Sequence, residues 1–342
     1  MGILDWFKNR QEQFDPDHVS PEMMDWAVEK AVTVTNPKLK LLPDCRKLLE
    51  PAIETTARFL RPQLLSLPAA QLLAPGVWSA DPVLRAFFVA PADIQQVLGD
   101  SDNLRELFDN HPEIDAAYAA LGMRFKVQQV FGMALQGDTV RRDVAQTSAS
   151  FSDHRARLCE SDERRLRRAI GVEIFEYLLT QAMFRIGEYR EERQDLQTSR
   201  SLMRSRLRLL QQHGPGLGSM LGEAPAAKSE QARLEAELLE NERQMEALGG
   251  GDSVLEAELE TLADVLGNPQ RYIHFDSKRL RLSRMNLVVG EGSTEEAFDI
   301  DFAVAEVTGS TPTTRAFILV RVLRADLPPP KKLDIDDASR YL

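Results

Sequence analysis

The chain is poor in cysteine and in aromatics, has no excess of positive charge, and has no long apolar run. Two of its 342 residues are cysteine, Cys45 and Cys159, in unrelated surroundings. They make neither a disulfide framework nor a metal-ligand spacing, and a reducing, cytoplasmic setting is expected. The five histidines (His18, His111, His154, His213 and His274) are scattered without ligand spacing, so no metal or cofactor is expected. Acidic residues outnumber basic ones and the net charge is −11. That argues against non-specific nucleic-acid binding by the whole chain, which rests on Lys and Arg. No apolar run approaches the length of a membrane-spanning helix. The first residues, Met1 to Lys8, lack an apolar core with a cleavage site and a myristoylation pattern, so no secretory leader or lipid anchor is expected there.

Proline is missing from residue 113 to residue 214. Nothing therefore forbids one helix across 162–212, which at 1.5 Å per residue would be roughly 75 Å long. Ser161 suits its N-cap, and Asp162 and Glu163 suit its first turn.

The expected fold class is α+β, mainly helical, read in five parts. Residues 1–121 form an N-terminal helical unit. Ser20-Pro21-Glu22 opens a helix over about 21–34, a second spans 44–66, and Pro51 and Pro62 should interrupt or kink it. After a loop at 67–78, Asp81-Pro82 opens another helix, and 92–121 holds two or three short ones. Residues 122–160 form a β-hairpin module, because Met123, Phe125, Val127, Phe131, Met133 and Leu135 alternate and Gln136-Gly137-Asp138 is a turn signal. Residues 161–267 form an antiparallel coiled-coil hairpin whose Gly-rich tip is 213–228. Residues 268–327 form a small antiparallel β unit, which could share a sheet with 122–160 because the hairpin returns the chain to its start. Residues 328–342 are a Pro-rich linker and a polar tail.

The hairpin is the strongest signal. Ala182, Ile186, Tyr189, Arg193, Leu196, Arg200, Met203, Leu207 and Leu210 recur at steps of four and three. So do Leu234, Leu238, Asn241, Met245, Leu248, Asp252, Leu255, Leu259, Leu262 and Leu266. A period of 3.5 marks a coiled-coil seam. The phase survives Gly249-Gly250-Gly251, so the return helix should bend there without losing the seam. Placing Leu210 opposite Leu234 sets Leu207 opposite Leu238, Met203 opposite Asn241 and Leu196 opposite Leu248. It also sets Arg193 opposite Asp252, Tyr189 opposite Leu255, Ile186 opposite Leu259 and Ala182 opposite Leu262. Arg193 and Asp252 thus form a register pair of opposite charge. Residues 190–208 carry six Arg against three acids, and 228–248 six Glu against three bases, which favours this pairing over self-pairing of either helix.

Candidate sites are few. The tip offers Leu217, Met220 and Leu221 to a partner; its glycines follow a helix rather than a strand and make no dinucleotide fingerprint. Asp153, His154 and Cys159, with Ser152, form the one cluster that invites nucleophilic chemistry, through an imidazole holding a thiolate. A strand end with turn residues explains the same letters. Arg279 and Arg281 alternate with Leu280 and Leu282, and Arg315, Arg321 and Arg324 could enlarge that basic strand face, although no interleaved aromatics favour nucleic acid. Trp6 and Phe7 beside Lys8 and Arg10 have a membrane-surface composition on a short helix.

The leading expectation is a non-enzymatic cytoplasmic scaffold or adaptor. Its coiled-coil arm would engage an unknown protein partner or a second copy. An enzyme with a site near Asp153, His154 and Cys159 ranks second, and a peripheral membrane protein held by residues 1–14 third. If Arg193 and Asp252 face each other, replacing both by leucine should keep the fold and raise the melting temperature, because desolvation offsets much of a buried pair's attraction. Arg193→Ala alone should lower it in a thermal melt; no loss would refute the facing.

Overall fold

The computed structural model describes residues 19–136, 139–212, 224–248, 254–290, 295–308 and 313–329. The fold is mixed α and β. The chain divides into two compact units, one of Met1–Arg58 with Glu176–Pro269, the other of Phe59–Phe175 with Gln270–Leu342. Of the three crossings between the units, two fall inside helices, α2 (Cys45–Ser66) and α6 (Glu163–Gln212), and the third in the short 3-10 turn Pro269–Arg271.

The second unit is built on one sheet. Its strands are β1 (Gln71–Leu72), β2 (Ala116–Gln136), β3 (Thr139–Glu160), β4 (Ile273–Ser283), β5 (Ala297–Val307) and β6 (Thr313–Leu323). The order is β3-β2-β6-β5-β4, antiparallel throughout, with the short β1 parallel to β6. β2 begins six residues before the expected hairpin. Its first stretch is Ala116-Ala117-Tyr118-Ala119-Ala120-Leu121, an alanine-rich run that reads as helix by propensity. Both its faces are covered, so no polar alternation marks it as a strand. Ala117, Ala119 and Leu121 join the core formed with Phe151, Phe302 and Ile318, and with Leu84, Phe87, Ile94 and Phe108. Those last four come from the short helices α3 (Pro82–Phe87), α4 (Pro91–Gly99) and α5 (Asp102–Asn110). Tyr118 and Ala120 face a second core, where Phe317 and Leu319 pack with Leu60 and Leu67 and with Leu166, Ile170 and Ile174.

The two edges of this sheet are tied together. Residues 286–288 bond to β3 through Ala149 N–H to Asn286 O (2.9 Å) and Val288 N–H to Thr147 O (2.7 Å). Residues 287–289 bond to β4 through Ser283 N–H to Leu287 O (2.9 Å) and Val289 N–H to Arg281 O (2.8 Å). Unpaired strand edges invite association, and this bridge blunts both. Asn286 adopts a left-handed φ of 57°, and its side-chain amide donates to Ala86 O at 2.9 Å. Asparagine tolerates that conformation better than most residues.

The first unit contains α1 (Pro21–Thr35), capped as expected by Ser20, and the return helices α7 (Ala224–Ala247) and α8 (Val254–Gly267). Helix α2 is unbroken by Pro51 or Pro62, contrary to the expected interruption. Both prolines are exposed, as are Lys47 and Arg58, whose carbonyls lose their donors, so water can satisfy them.

Every described position of the expected seam is buried or half-buried. The contacts run in opposite order along the helices: Arg185 to Asp264, Arg190 to Glu258, Tyr189 Oη to Leu248 O, Asn241 Nδ2 to Leu196 O, Arg206 to Glu230. Around α7 these contacts are mixed with respect to the expected layers. Around α8, buried Ala182, Ile186, Leu259 and Leu262 agree with the proposed facing. Around α7, Leu248 bonds at Tyr189 rather than Leu196, and Asn241 at Leu196 rather than Met203. Both lie seven residues from the expected facing, whereas Arg204 to Glu242 (2.9 Å) lies close to it, so the side-chain contacts set no single register on α7. Seven residues are one seam repeat, so the sequence pattern is identical in either register and cannot choose between them. Asp252 lies outside the described residues; Arg193 is buried, 9% exposed, with Nη1 3.3 Å from Tyr189 Oη.

The one fully buried carboxylate of this unit among the described residues is Glu258, 2% exposed. Arg190 grips it through two bonds of 2.6 and 2.8 Å, and Asn36 Nδ2 adds a third at 2.6 Å. Burial by itself would raise its pKa; the bonds from Arg190 and Asn36 outweigh that and hold it below the ordinary value. Its contribution to stability is therefore complete above the unfolded carboxylate range and is lost as pH falls through the folded pKa. Glu258→Gln should cost roughly 2 kcal/mol at neutral pH. It should also flatten the acid limb of stability between pH 5 and 3, as chemical denaturation across that range would measure. An unchanged acid limb would remove Glu258 as its source.

Candidate interaction groove

The 152–159 cluster lies on β3 at two bulges, where one extra residue is inserted against β2. Asp153 has a left-handed φ of 55° and Leu158 one of 54°. The carboxylate of Asp153 is committed to Arg315 (2.7 Å) and Arg155 (3.1 Å). The hydrogen bond from Arg315, with help from Arg155, holds its pKa below the ordinary value. His154 stacks on Phe88, ring centroids 4.4 Å apart. Burial pushes its pKa down against an opposing backbone bond at Phe87, so the ring is neutral near pH 7. Burial pushes the Cys159 thiol up to about 12, although Ser101 offers it a hydrogen bond. A nucleophilic cysteine needs the opposite: a lowered pKa beside a cation or helix N-terminus. These residues form a bulged strand end in which Asp153 is held by two arginines, His154 stacks on Phe88 with Nε2 buried and without a hydrogen bond, and Cys159 is buried beside Ser101.

Three of the five arginines of the basic strand face are used internally, while Arg281 and Arg321 are exposed. Arg279 is bidentate to Asp301 at 2.7 and 3.0 Å, and Arg315 is bound to Asp153. Arg324 donates to the carbonyls of Phe108, His111 and Ile114, closing the end of α5. Leu282 is buried on the opposite face of β4, as alternation predicts.

The distal half of α6 with α7 carries a broad open groove. The groove, of about 660 Å³, is walled on one side by Arg193, Gln197, Arg200, Ser201, Arg204, Ser205 and Arg208, and on the other by Glu242, Met245 and Glu246. These α6 residues recur at three and four, so they share one helix face. One rung crosses the groove, Arg204 to Glu242 at 2.9 Å. Arg200 and Arg208 have no ion pair among the described residues. Little apolar surface closes this half: Leu207 and Leu234 are buried, while Leu202 (66%), Leu209 (55%) and Leu239 (69%) stand exposed.

The other sequence-derived candidates, Leu217, Met220 and Leu221 at the tip and Trp6 and Phe7 near the start, lie outside the described residues. The groove itself could have been found in the sequence. The excess of Arg over 190–208 was visible, and its spacing at Arg193, Arg200, Arg204 and Arg208 is that of a single face. Among the described residues no group of His, Cys, Asp and Glu could hold a metal ion, and no helix is long and apolar enough to cross a membrane. Comparison with protein-family models, with curated proteins and with solved structures finds no match.

A thiol at about 12 against an ordinary 9.0 presents about a thousandfold less thiolate at neutral pH. In the folded protein Cys159 should therefore be alkylated by iodoacetamide far more slowly than in urea, as peptide mass spectrometry can follow. Equal rates in the two states would reinstate a reactive cysteine.

Proposed function

We propose that the chain is a non-enzymatic cytoplasmic scaffold or adaptor, and that α6 with α7 and α8 forms an antiparallel coiled-coil hairpin used as a docking arm. The observation that carries this reading is the mismatch between the length of α6 and the use its own fold makes of it. The helix runs for 50 residues, yet beyond Arg193 only Leu207 of its apolar side chains is fully buried. Leu202 and Leu209, one heptad apart, keep their side chains in water. An arm with a thin seam and exposed apolar positions suits engagement by another chain. The free thiols of Cys45 and Cys159 accord with a reducing compartment. The enzyme reading draws nothing from a cysteine whose thiolate is suppressed and an aspartate committed to two arginines.

The test is affinity capture from the native cell with three baits: the full chain, a 214–226 deletion, and Leu202→Glu with Leu209→Glu. Thermal melts should show all three folded, since the leucines are exposed. A partner is expected that the full chain retains and at least one altered arm loses. Identical recovery by all three would refute the docking arm.

A further inference from the structure

The groove has one cationic wall and one anionic wall, and that arrangement matches itself. Helix α6 supplies Arg193, Arg200, Arg204 and Arg208; α7 supplies Glu242 and Glu246. Consider a second copy laid face to face on the groove, related by a twofold axis running along it. The rotation exchanges left and right, so the arginine wall of each copy lies over the glutamate wall of the other. A twofold axis across the groove would instead set arginine on arginine. An isologous contact must be self-complementary in this way, and the charge pattern selects the parallel arrangement of the two arms.

Two further observations point the same way. Arg200 and Arg208 on one wall have no ion pair among the described residues, and Glu246 on the other has none. Among the described residues the Arg204–Glu242 rung joins the two walls within one copy, and Arg200, Arg208 and Glu246 take no part in it. Leu239, 69% exposed, lies seven residues before Glu246 and so on the same flank of α7. It would be covered by the same contact. A polyphosphate or nucleic acid fits less well, because the glutamate wall would repel it.

We propose that two copies of this chain associate through the α6/α7 groove as a parallel, twofold-symmetric four-helix assembly, with Arg200 of each copy facing Glu246 of the other. This rests on the docking-arm reading and names its occupant.

The test uses the full chain in sedimentation equilibrium at about 100 µM and below, a range that captures contacts of ordinary micromolar strength. Two single reversals, Arg200→Glu and Glu246→Arg, leave the Arg204–Glu242 rung intact. Wild type should be dimeric, with affinity falling as salt rises. Each reversal should weaken the dimer at least about tenfold. Mixing the two variants should restore association, because each then presents the sign the other lost. Melting curves confirm that both variants fold. A monomeric wild type at the highest concentration overturns the proposal, as does a dimer that neither reversal weakens or that mixing does not rescue. The docking-arm reading is judged separately: it survives a monomeric wild type if the arm variants lose a captured partner, and falls only if they lose none.

Discussion

One uninterrupted helix is the constraint on which the rest of this protein depends. Helix α6 contributes Leu166, Ile170 and Ile174 to a core of the sheet-bearing unit. In the other unit it buries Ala182, Ile186, Arg193 and Leu207 and bonds to the return helices through Arg190 and Tyr189. A proline or a glycine pair midway would divide these two tasks. The segment has neither. Its isolated glycines, Gly171 and Gly187, stand within the helix, each costing about 1 kcal/mol relative to alanine. At Gly171 a Cβ would come within 3.1 Å of Leu64, so the missing side chain lets α2 approach closely.

The seam is held unevenly. Near α8 it is apolar and reinforced by an ion pair between half-exposed Arg190 and buried Glu258, to which Asn36 is bound. Near α7 it is polar: Asn241 is buried, 5% exposed, and reaches a backbone carbonyl, and the groove beside it is lined by arginine and serine. Apolar burial supplies most of the free energy of helix packing. The α7 half therefore gains less from its own fold and keeps more surface for a further contact. Stability and binding capacity trade against each other along the same pair of helices.

In the sheet-bearing unit, charge is spent on geometry. Asp153 steadies a bulge with two arginines, Arg324 closes a helix end, and Arg279 spans two strands to Asp301. Residues that look chemically promising as letters have local partners that account for them. The raised thiol of Cys159 and the neutral ring of His154 follow from burial at these bulges. Bulges re-aim side chains out of simple alternation, which is why a Ser-Asp-His-Cys string stood out from its strand.

By itself, the sequence determined what depends on neighbours along the chain. The bounds of α1, α2 and α6 follow from caps, periodicity and the placement of proline, and the buried or half-buried positions of α6, α7 and α8 follow from a 3.5-residue repeat. The tertiary structure alone decided what depends on distant partners. The strand at Ala116–Leu121 needed two covered faces to override alanine's helical preference. The prolines of α2 were harmless because they faced water. A repeating pattern fits itself at every repeat, so the sequence alone could not say which α7 residues bond to Tyr189 and Leu196; the structure places Leu248 and Asn241 there. The same dependence on pairing separated the arginines with carboxylate partners from those left facing the groove.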